Sequence, residues 1–261
     1  MSGDPLVARL RAAGCVFAED EAALLLEADG DLEALVVRRI AGEPLEQVLG
    51  WAEFCGLRVP VEPGVFVPRR RTELLVREAV ALDPAVVLDL CCGTGAVGLA
   101  VLTALSGARE LHAADLDPVA VTCARRAVAA VGGHVHLGDL DEALPADLRG
   151  RVDVLVVNAP YVPTDAVALM PPEARVHEHR VALDGGADGL DVHRRVAAIA
   201  PRWVRPGGAV LVETSERQAP ATAELLRRNG FDVHIVRDEE LDATVAVGIL
   251  RRGNDPGAGV L

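Results

Sequence analysis

Apolar residues recur every three or four positions through PLVARLRAAG, EDEAALLLEA and DLEALVVRRIAG near the start of the chain. That period predicts short amphipathic helices across 5–49, with Gly or Asp at the segment ends as stops. Each is too short to bury much alone, so together they predict a small helical domain folded against something larger. LRVPVEPGVFV (57–67) breaks the period at Pro60, Pro63 and Gly64 and predicts a two-stranded or strand-and-turn connector. PRRRTELLVREAVAL then starts at Pro68 and continues as a helix.

From about residue 84 the pattern becomes short apolar runs alternating with helical stretches. AVVLDL (85–90), ELHAAD (110–115), VHLGD (135–139), VDVLVVN (152–158), GAVLVET (208–214), FDVHIVR (231–237) and ATVAVGIL (243–250) read as strands. AVGLAVLTAL, PVAVTCARRAVAAV, 188–204 and 216–229 read as helices between them. Apolar strands buried on both faces need helical cover on both, which predicts an α/β, doubly wound sheet of seven strands. RDEELD, between the last two strands, is shorter than the roughly dozen residues a crossover needs, so the final strand should run antiparallel to its neighbour. The expected division is a helical domain at 1–55, a hairpin or connector at 56–76, the sheet domain at 77–251 and a flexible tail at 252–261.

Composition narrows the class. A chain of 261 residues, 51% hydrophobic, can fill one large core and a small appendage but not two full-sized domains. A formal net charge of -13 removes the main attraction for a nucleic-acid backbone, and 3% aromatic residues leave few stacking platforms. No apolar run approaches the roughly 18 residues of a membrane span, and MSGDPLVARLRAAG lacks the order of a secretion signal, so a cytoplasmic protein is expected. Neither the five cysteines (15, 55, 91, 92 and 123) nor the seven histidines show zinc-site spacing, and no metal is expected.

The candidate chemistry starts at VVLDLCCGTGAVGLA, a strand, a tight turn and a helix carrying Gly93, Gly95 and Gly98. Asp115 ends the next strand, where a carboxylate can accept both hydroxyls of a ribose. The glycine spacing alone leaves a dinucleotide open. Asp89 before the turn and Asp139 after the third strand favour S-adenosyl-L-methionine, because one would meet its ammonium group and the other its adenine amino group. Negative charge there would oppose a pyrophosphate.

Strand four runs into Asn158, Ala159, Pro160 and Tyr161, which resemble the Asn-Pro-Pro-Tyr signature of methyltransferases acting on planar amide or amino nitrogens. The segments 42–76, 88–100, 113–121, 138–140, 173–196 and VETSERQ (212–218) further resemble successive blocks of the bacterial release-factor glutamine methyltransferase family. That resemblance implies a class I S-adenosylmethionine-dependent, Rossmann-like methyltransferase domain behind a small N-terminal helical domain. It implies an enzyme that methylates the glutamine of a Gly-Gly-Gln loop in a peptide-chain release factor; a monomer that holds neither nucleic acid nor membrane directly is expected. The expected catalytic set is Asn158, Ala159, Pro160 and Tyr161. The expected cofactor set is Asp89, Cys91, Gly93, Thr94, Gly95, Asp115, Leu116, Asp139, Leu140 and Asn158.

Two departures from the family pattern stand out. Ala159 replaces a proline, and Arg69-Arg70-Arg71-Thr72-Glu73 stands where the family has Arg-Pro-Glu-Thr-Glu. The second puts a cation where a carboxylate is usual, which keeps open a methyltransferase for another protein or a small amide or amine. A catalytically silent S-adenosylmethionine-binding module is the remaining alternative. Glu173, Glu178 and LDGGADG (183–189) are expected near the mouth of the cleft.

Overall fold

The computed structural model describes residues 5–252, so the tail expected at 252–261 lies outside the described residues except for Arg252. Four helices open the chain: α1 (Pro5–Ala12), α2 (Ala18–Glu27), α3 (Leu32–Ile40) and α4 (Leu45–Leu49). Their apolar faces close on one another through Leu6, Leu10, Ala22, Leu25, Val36 and Val48, which is how helices this short become stable. Asp31 caps α3 by accepting the Glu33 backbone N–H at 3.0 Å.

A hairpin follows, β1 (Trp51–Phe54) against β2 (Leu57–Pro60), turned by Cys55 and Gly56 with φ of 51° and 73°. Two positive φ values at the centre of a two-residue loop match the twist of the flanking strands. Pairing therefore begins at Trp51, earlier than the connector expected at 57–67. Four residues with a single glutamate, WAEF, are too few to display a strand period. Past the hairpin, α5 (Glu73–Ala81) is preceded by a 3₁₀ turn at Arg70–Thr72.

The main sheet contains β3 (Val86–Leu90), β4 (Glu110–Asp115), β5 (His134–Leu137), β6 (Val152–Val157), β7 (Val204–Glu213), β8 (Phe231–Asp238) and β9 (Ala243–Leu250). Their order is β5-β4-β3-β6-β7-β9-β8. Strand β9 runs antiparallel to both β7 and β8, as the short RDEELD connection requires.

Along the central strands, side chains alternate between two cores. Val87, Leu111, Val154 and Leu211 pack under α5, α6 (Ala96–Ala104) and α7 (Pro118–Val128). Leu88, Leu155 and Val210 pack under α9 (Asp191–Trp203) and α10 (Ala219–Arg228). A short α8 (Pro172–His177) lies in the long excursion between β6 and β7. No helix among the described residues is long and apolar enough to cross a membrane.

Sequence order reverses at β3, which pairs with β4 on one side and β6 on the other. The carboxyl ends of parallel strands flank an open crevice at such a switch point, and that crevice holds the candidate site.

Candidate active site

A cavity of about 250 Å³ opens at this point, walled by the turn after β3 and by the ends of β4 and β6. The 64–72 connector and the excursion after β6 complete it. Asp89, Cys91, Gly93, Thr94, Asp115, Leu116, Asp139, Leu140 and Asn158 through Tyr161 all line it. Gly95 does not; it sits behind the wall with φ of 76°, and a Cβ there would press on Ala124 of α7 at 3.2 Å. Its requirement is a left-handed turn and close helix packing, not ligand contact. Glu173 and Glu178 also lie outside the lining. Glu173 pairs with Arg39 at 2.6 Å, and Glu178 accepts the Val67 N–H at 3.1 Å and pairs with Arg69.

The carboxylates differ in what holds them. Asp89 is buried and accepts the Gly98 N–H at 2.9 Å. Burial pushes its carboxyl up to about 7, the Gly98 bond opposes this, and the nearby Asp115 adds to it. Asp115 accepts the Gly93 N–H at 2.8 Å on one oxygen and the Asp117 N–H at 2.9 Å on the other, tying the turn to β4. Burial raises its pKa as well, against those backbone bonds. Each oxygen keeps a second lone pair for a hydroxyl donor. Asp139 is paired with Arg195 of α9 at 2.9 Å, a partner the sequence pattern does not reveal. Cys91 and Leu140, both on the wall, hold left-handed φ values of 57° and 52°.

Opposite these groups, the Asn158 side-chain N–H donates to the Thr72 hydroxyl at 3.2 Å. The Tyr161 hydroxyl donates to Glu213 Oε1 at 3.2 Å, and Arg71 Nε lies 3.4 Å from the same oxygen. The Arg71 guanidinium also stands 5.9 Å from the Tyr161 ring centroid. Arg70 and Arg71 are both exposed, and the Arg71 cation that departs from the family pattern is matched by a buried carboxylate. Burial and the Glu213 charge push the Tyr161 hydroxyl well above its ordinary pKa.

The backbone of the 158–161 segment is braced from outside. Gln218 Nε2 donates to the Tyr161 and Asp188 carbonyls, each at 3.0 Å. The Val162 N–H donates to the Leu183 carbonyl at 3.1 Å, and the Val162 carbonyl accepts the Gly185 N–H at 2.8 Å. A Cβ at Gly185 would stand 2.7 Å from the Pro160 carbonyl, so this glycine allows one backbone to lie directly against another. Thr72, Gln218, Glu213 and Arg195 carry no role in the sequence pattern alone. Glu213 alone has a positional signal, a polar residue at the end of an apolar run.

Residues 56–186 match the model of the Methyltransferase small domain family. A release factor glutamine methyltransferase from Geobacter sulfurreducens is 40% identical over 201 residues, covering 76% of this chain and 69% of that one. A 4-amino-L-phenylalanine/4-methylamino-L-phenylalanine methyltransferase from Streptomyces pristinaespiralis is 35% identical over 204 residues, covering 75% of this chain and 69% of its own. The crystal structure of a methyltransferase from Pyrococcus furiosus shares the fold, with a TM-score of 0.56 at 15% identity over 84% of this chain and 98% of that one. With the switch-point cavity, the Asn158 to Tyr161 segment and a match over three quarters of its length, the chain belongs to the release factor glutamine methyltransferase family.

Proposed function

We propose that this protein transfers a methyl group from S-adenosyl-L-methionine to the side-chain amide nitrogen of a glutamine, in the Gly-Gly-Gln loop of a peptide-chain release factor. The observation that carries the reading is the orientation of Asn158. Its N–H is engaged by Thr72, so its Oδ1 remains an acceptor at the cavity that holds the acidic cofactor wall. The relatives' names supply the substrate class.

The residues present suit the cofactor. Asp89, Asp115 and Asp139 offer carboxylates for an ammonium group, a ribose diol and an adenine amino group, and negative walls favour a sulfonium. Leu116 and Leu140 line the same cavity and would offer apolar contact to an adenine, and Cys91, Gly93 and Thr94 line it at the turn. When bound, S-adenosylmethionine supplies an electrophilic methyl group.

The chain's own residues then orient the acceptor. A carboxamide nitrogen is a weak nucleophile because its lone pair is delocalised. Asn158 Oδ1 and the Ala159 carbonyl accept its two N–H bonds, aim the nitrogen and stabilise the positive charge that develops on it. Replacing proline by alanine at 159 keeps that carbonyl and loosens only the local φ. Pro160 holds the turn, and Tyr161 packs on the amide plane and excludes water. The enzyme acts as a cytoplasmic monomer on the protein factor rather than on RNA, consistent with its net charge of -13.

A second reading is transfer to a small aryl amine or amide. The relative named as a 4-amino-L-phenylalanine methyltransferase and the Arg71 cation at the acceptor end favour it. The test is to offer labelled S-adenosylmethionine with a folded release factor, a Gly-Gly-Gln peptide and 4-amino-L-phenylalanine. Label on the factor's glutamine is expected; label on the amine alone overturns the first reading. Asn158→Ala is expected to lower turnover by about 10²–10³-fold, as for removal of one transition-state hydrogen-bond partner, with cofactor affinity nearly unchanged in calorimetry.

A further inference from the structure

Gln218 is buried at the turn between β7 and α10, outside the lining of the switch-point cavity. The turn folds back on itself: the Gln218 N–H donates to the Ser215 carbonyl at 3.0 Å and to the Ser215 hydroxyl oxygen at 3.2 Å. Its side-chain amide is engaged at both ends. Oε1 accepts the Ser215 hydroxyl at 2.6 Å, and Nε2 donates to the Tyr161 and Asp188 carbonyls at 3.0 Å each. Gly189 leaves the space for this. A Cβ there would stand 2.3 Å from the Tyr161 carbonyl oxygen and 2.4 Å from Gln218 Nε2, between the two bonded atoms.

We propose that Gln218 is a positioning residue of the acceptor site. It fixes the plane of the peptide bond between Tyr161 and Val162 and so aims the Tyr161 ring into the cavity, with Ser215 holding the Gln218 amide in the required orientation. The inference rests on Tyr161 and the Ala159 carbonyl engaging the acceptor amide.

Hydrogen-bond polarity carries the argument. A backbone carbonyl only accepts, whereas a side-chain amide has an acceptor at one end and two donors at the other. The amide flipped about its last bond would set Oε1 against two carbonyl oxygens, and it would turn Nε2 towards the Ser215 hydroxyl. Ser215 therefore reinforces the one orientation in which both donors face the loop backbone. The Tyr161–Val162 peptide is then held by both of its polar groups, its carbonyl by Gln218 and its N–H by the Leu183 carbonyl at 3.1 Å. With that plane fixed, the direction in which the Tyr161 side chain leaves the backbone is fixed too. Its hydroxyl reaches Glu213 Oε1 at 3.2 Å, so the residue is held at its backbone and at the tip of its ring. Ala159 lacks the locked φ of a proline, which leaves the segment more dependent on bonds made from outside it.

The test compares Gln218→Met, Gln218→Glu, Ser215→Ala, Ser215→Thr and the Gln218→Met/Ser215→Ala double variant in the full chain. Turnover is expressed per folded molecule, with the folded fraction taken from urea denaturation. Gln218→Met, and Gln218→Glu at neutral pH, are each expected to lower kcat by about 10²-fold, the cost of roughly 1 Å of misplacement, with KM and cofactor Kd little changed. Ser215→Ala should lose about 5-fold, the worth of one neutral hydrogen bond, and Ser215→Thr, which keeps the hydroxyl, should recover it. The double variant should lose no more than Gln218→Met, because Ser215 acts through Gln218. An ionised carboxyl at 218 repels both carbonyls, whereas a protonated one donates to one of them. The activity of Gln218→Glu relative to wild type should therefore rise as pH falls, while that of Gln218→Met stays a constant fraction.

A second readout needs no substrate. Tyr161 is the only tyrosine in the chain, so protein labelled with ring-¹³C tyrosine gives one set of ring signals. They should shift in Gln218→Met and Ser215→Ala and return in Ser215→Thr. Wild-type kcat in Gln218→Met, additive losses in the double variant, no relief of Gln218→Glu by acid, or tyrosine signals indifferent to the changes would overturn the proposal. If the wild-type protein transferred nothing to a release-factor glutamine, the proposed substrate would fall while the tyrosine signals still decided the role of Gln218.

Discussion

Asp89 is pulled in two directions, since burial favours its neutral form and a cationic ligand would favour its charged form. Its carboxyl is raised from the ordinary 3.8 to about 7, so near neutrality the unliganded protein holds a proton that the unfolded chain has released. Between those values the fold loses stability as pH rises. Ligand binding has the opposite sign, because an ammonium group requires the ionised carboxylate. S-adenosylmethionine affinity is expected to rise by up to about tenfold per unit as pH climbs towards 7 and to level off above it. Calorimetry in buffers of different ionisation enthalpy would show proton release on binding; a flat affinity from pH 5.5 to 7.5 would remove Asp89 from the ammonium site. Asp89, Asp115 and Asp139 were legible in the sequence because each stands at or just beyond the end of an apolar run, a place set by strand period alone. Glu213 stands at such an end too, but the two groups that meet its carboxylate, Arg71 and Tyr161, come from far away in the chain.

At the scale of elements, helix α6 approaches β3 and β4 because Gly98 has no side chain. A Cβ there would stand 2.8 Å from Leu111 Cδ1 and 3.2 Å from Asp89 Oδ2. Gly98→Ala is expected to cost about 1–3 kcal/mol, as overpacking of a filled core does, and to weaken cofactor binding by displacing Asp89. Urea denaturation and a binding titration on the same variant check both; unchanged values would mean that the helix yields freely. The seven strands and the helices other than α4 and α8 follow from periodicity, and the antiparallel end follows from the length of RDEELD. The hairpin start at Trp51 and the packing of 183–189 on the motif backbone did not follow, because one rests on a four-residue strand and the other on contacts between loops.

Across the whole molecule, Arg39 links the N-terminal helices to the excursion over the cavity. Its guanidinium bonds Glu21 at 2.6 Å, both side chains being nearly buried, and reaches Glu173 of α8 at 2.6 Å. Gln47 adds bonds to the Val65 and His177 carbonyls, each at 3.1 Å, so the small domain grips both the connector and the cleft wall. Arg39→Ala is expected to destabilise the protein by about 3–5 kcal/mol, because it strands a buried Glu21 rather than merely deleting an attraction. Chemical denaturation measures that loss. Hydrogen exchange should show reduced protection in α3 and α8 together; loss confined to α3 would mean that the two regions are not coupled.

The sequence by itself determined what depends on neighbours along the chain: helix and strand periods, the glycine turn, strand-end carboxylates, and the Asn158 to Tyr161 segment at the lip of the fourth sheet strand. Only the tertiary structure decided which distant groups share a charge or a proton. Arg195 comes to Asp139, Arg71 to Glu213, and Thr72 to Asn158 across 86 positions of sequence. Periodicity specifies which face of an element is buried. The pairing of one polar group with another depends on how those faces meet in space, and burial makes that pairing obligatory.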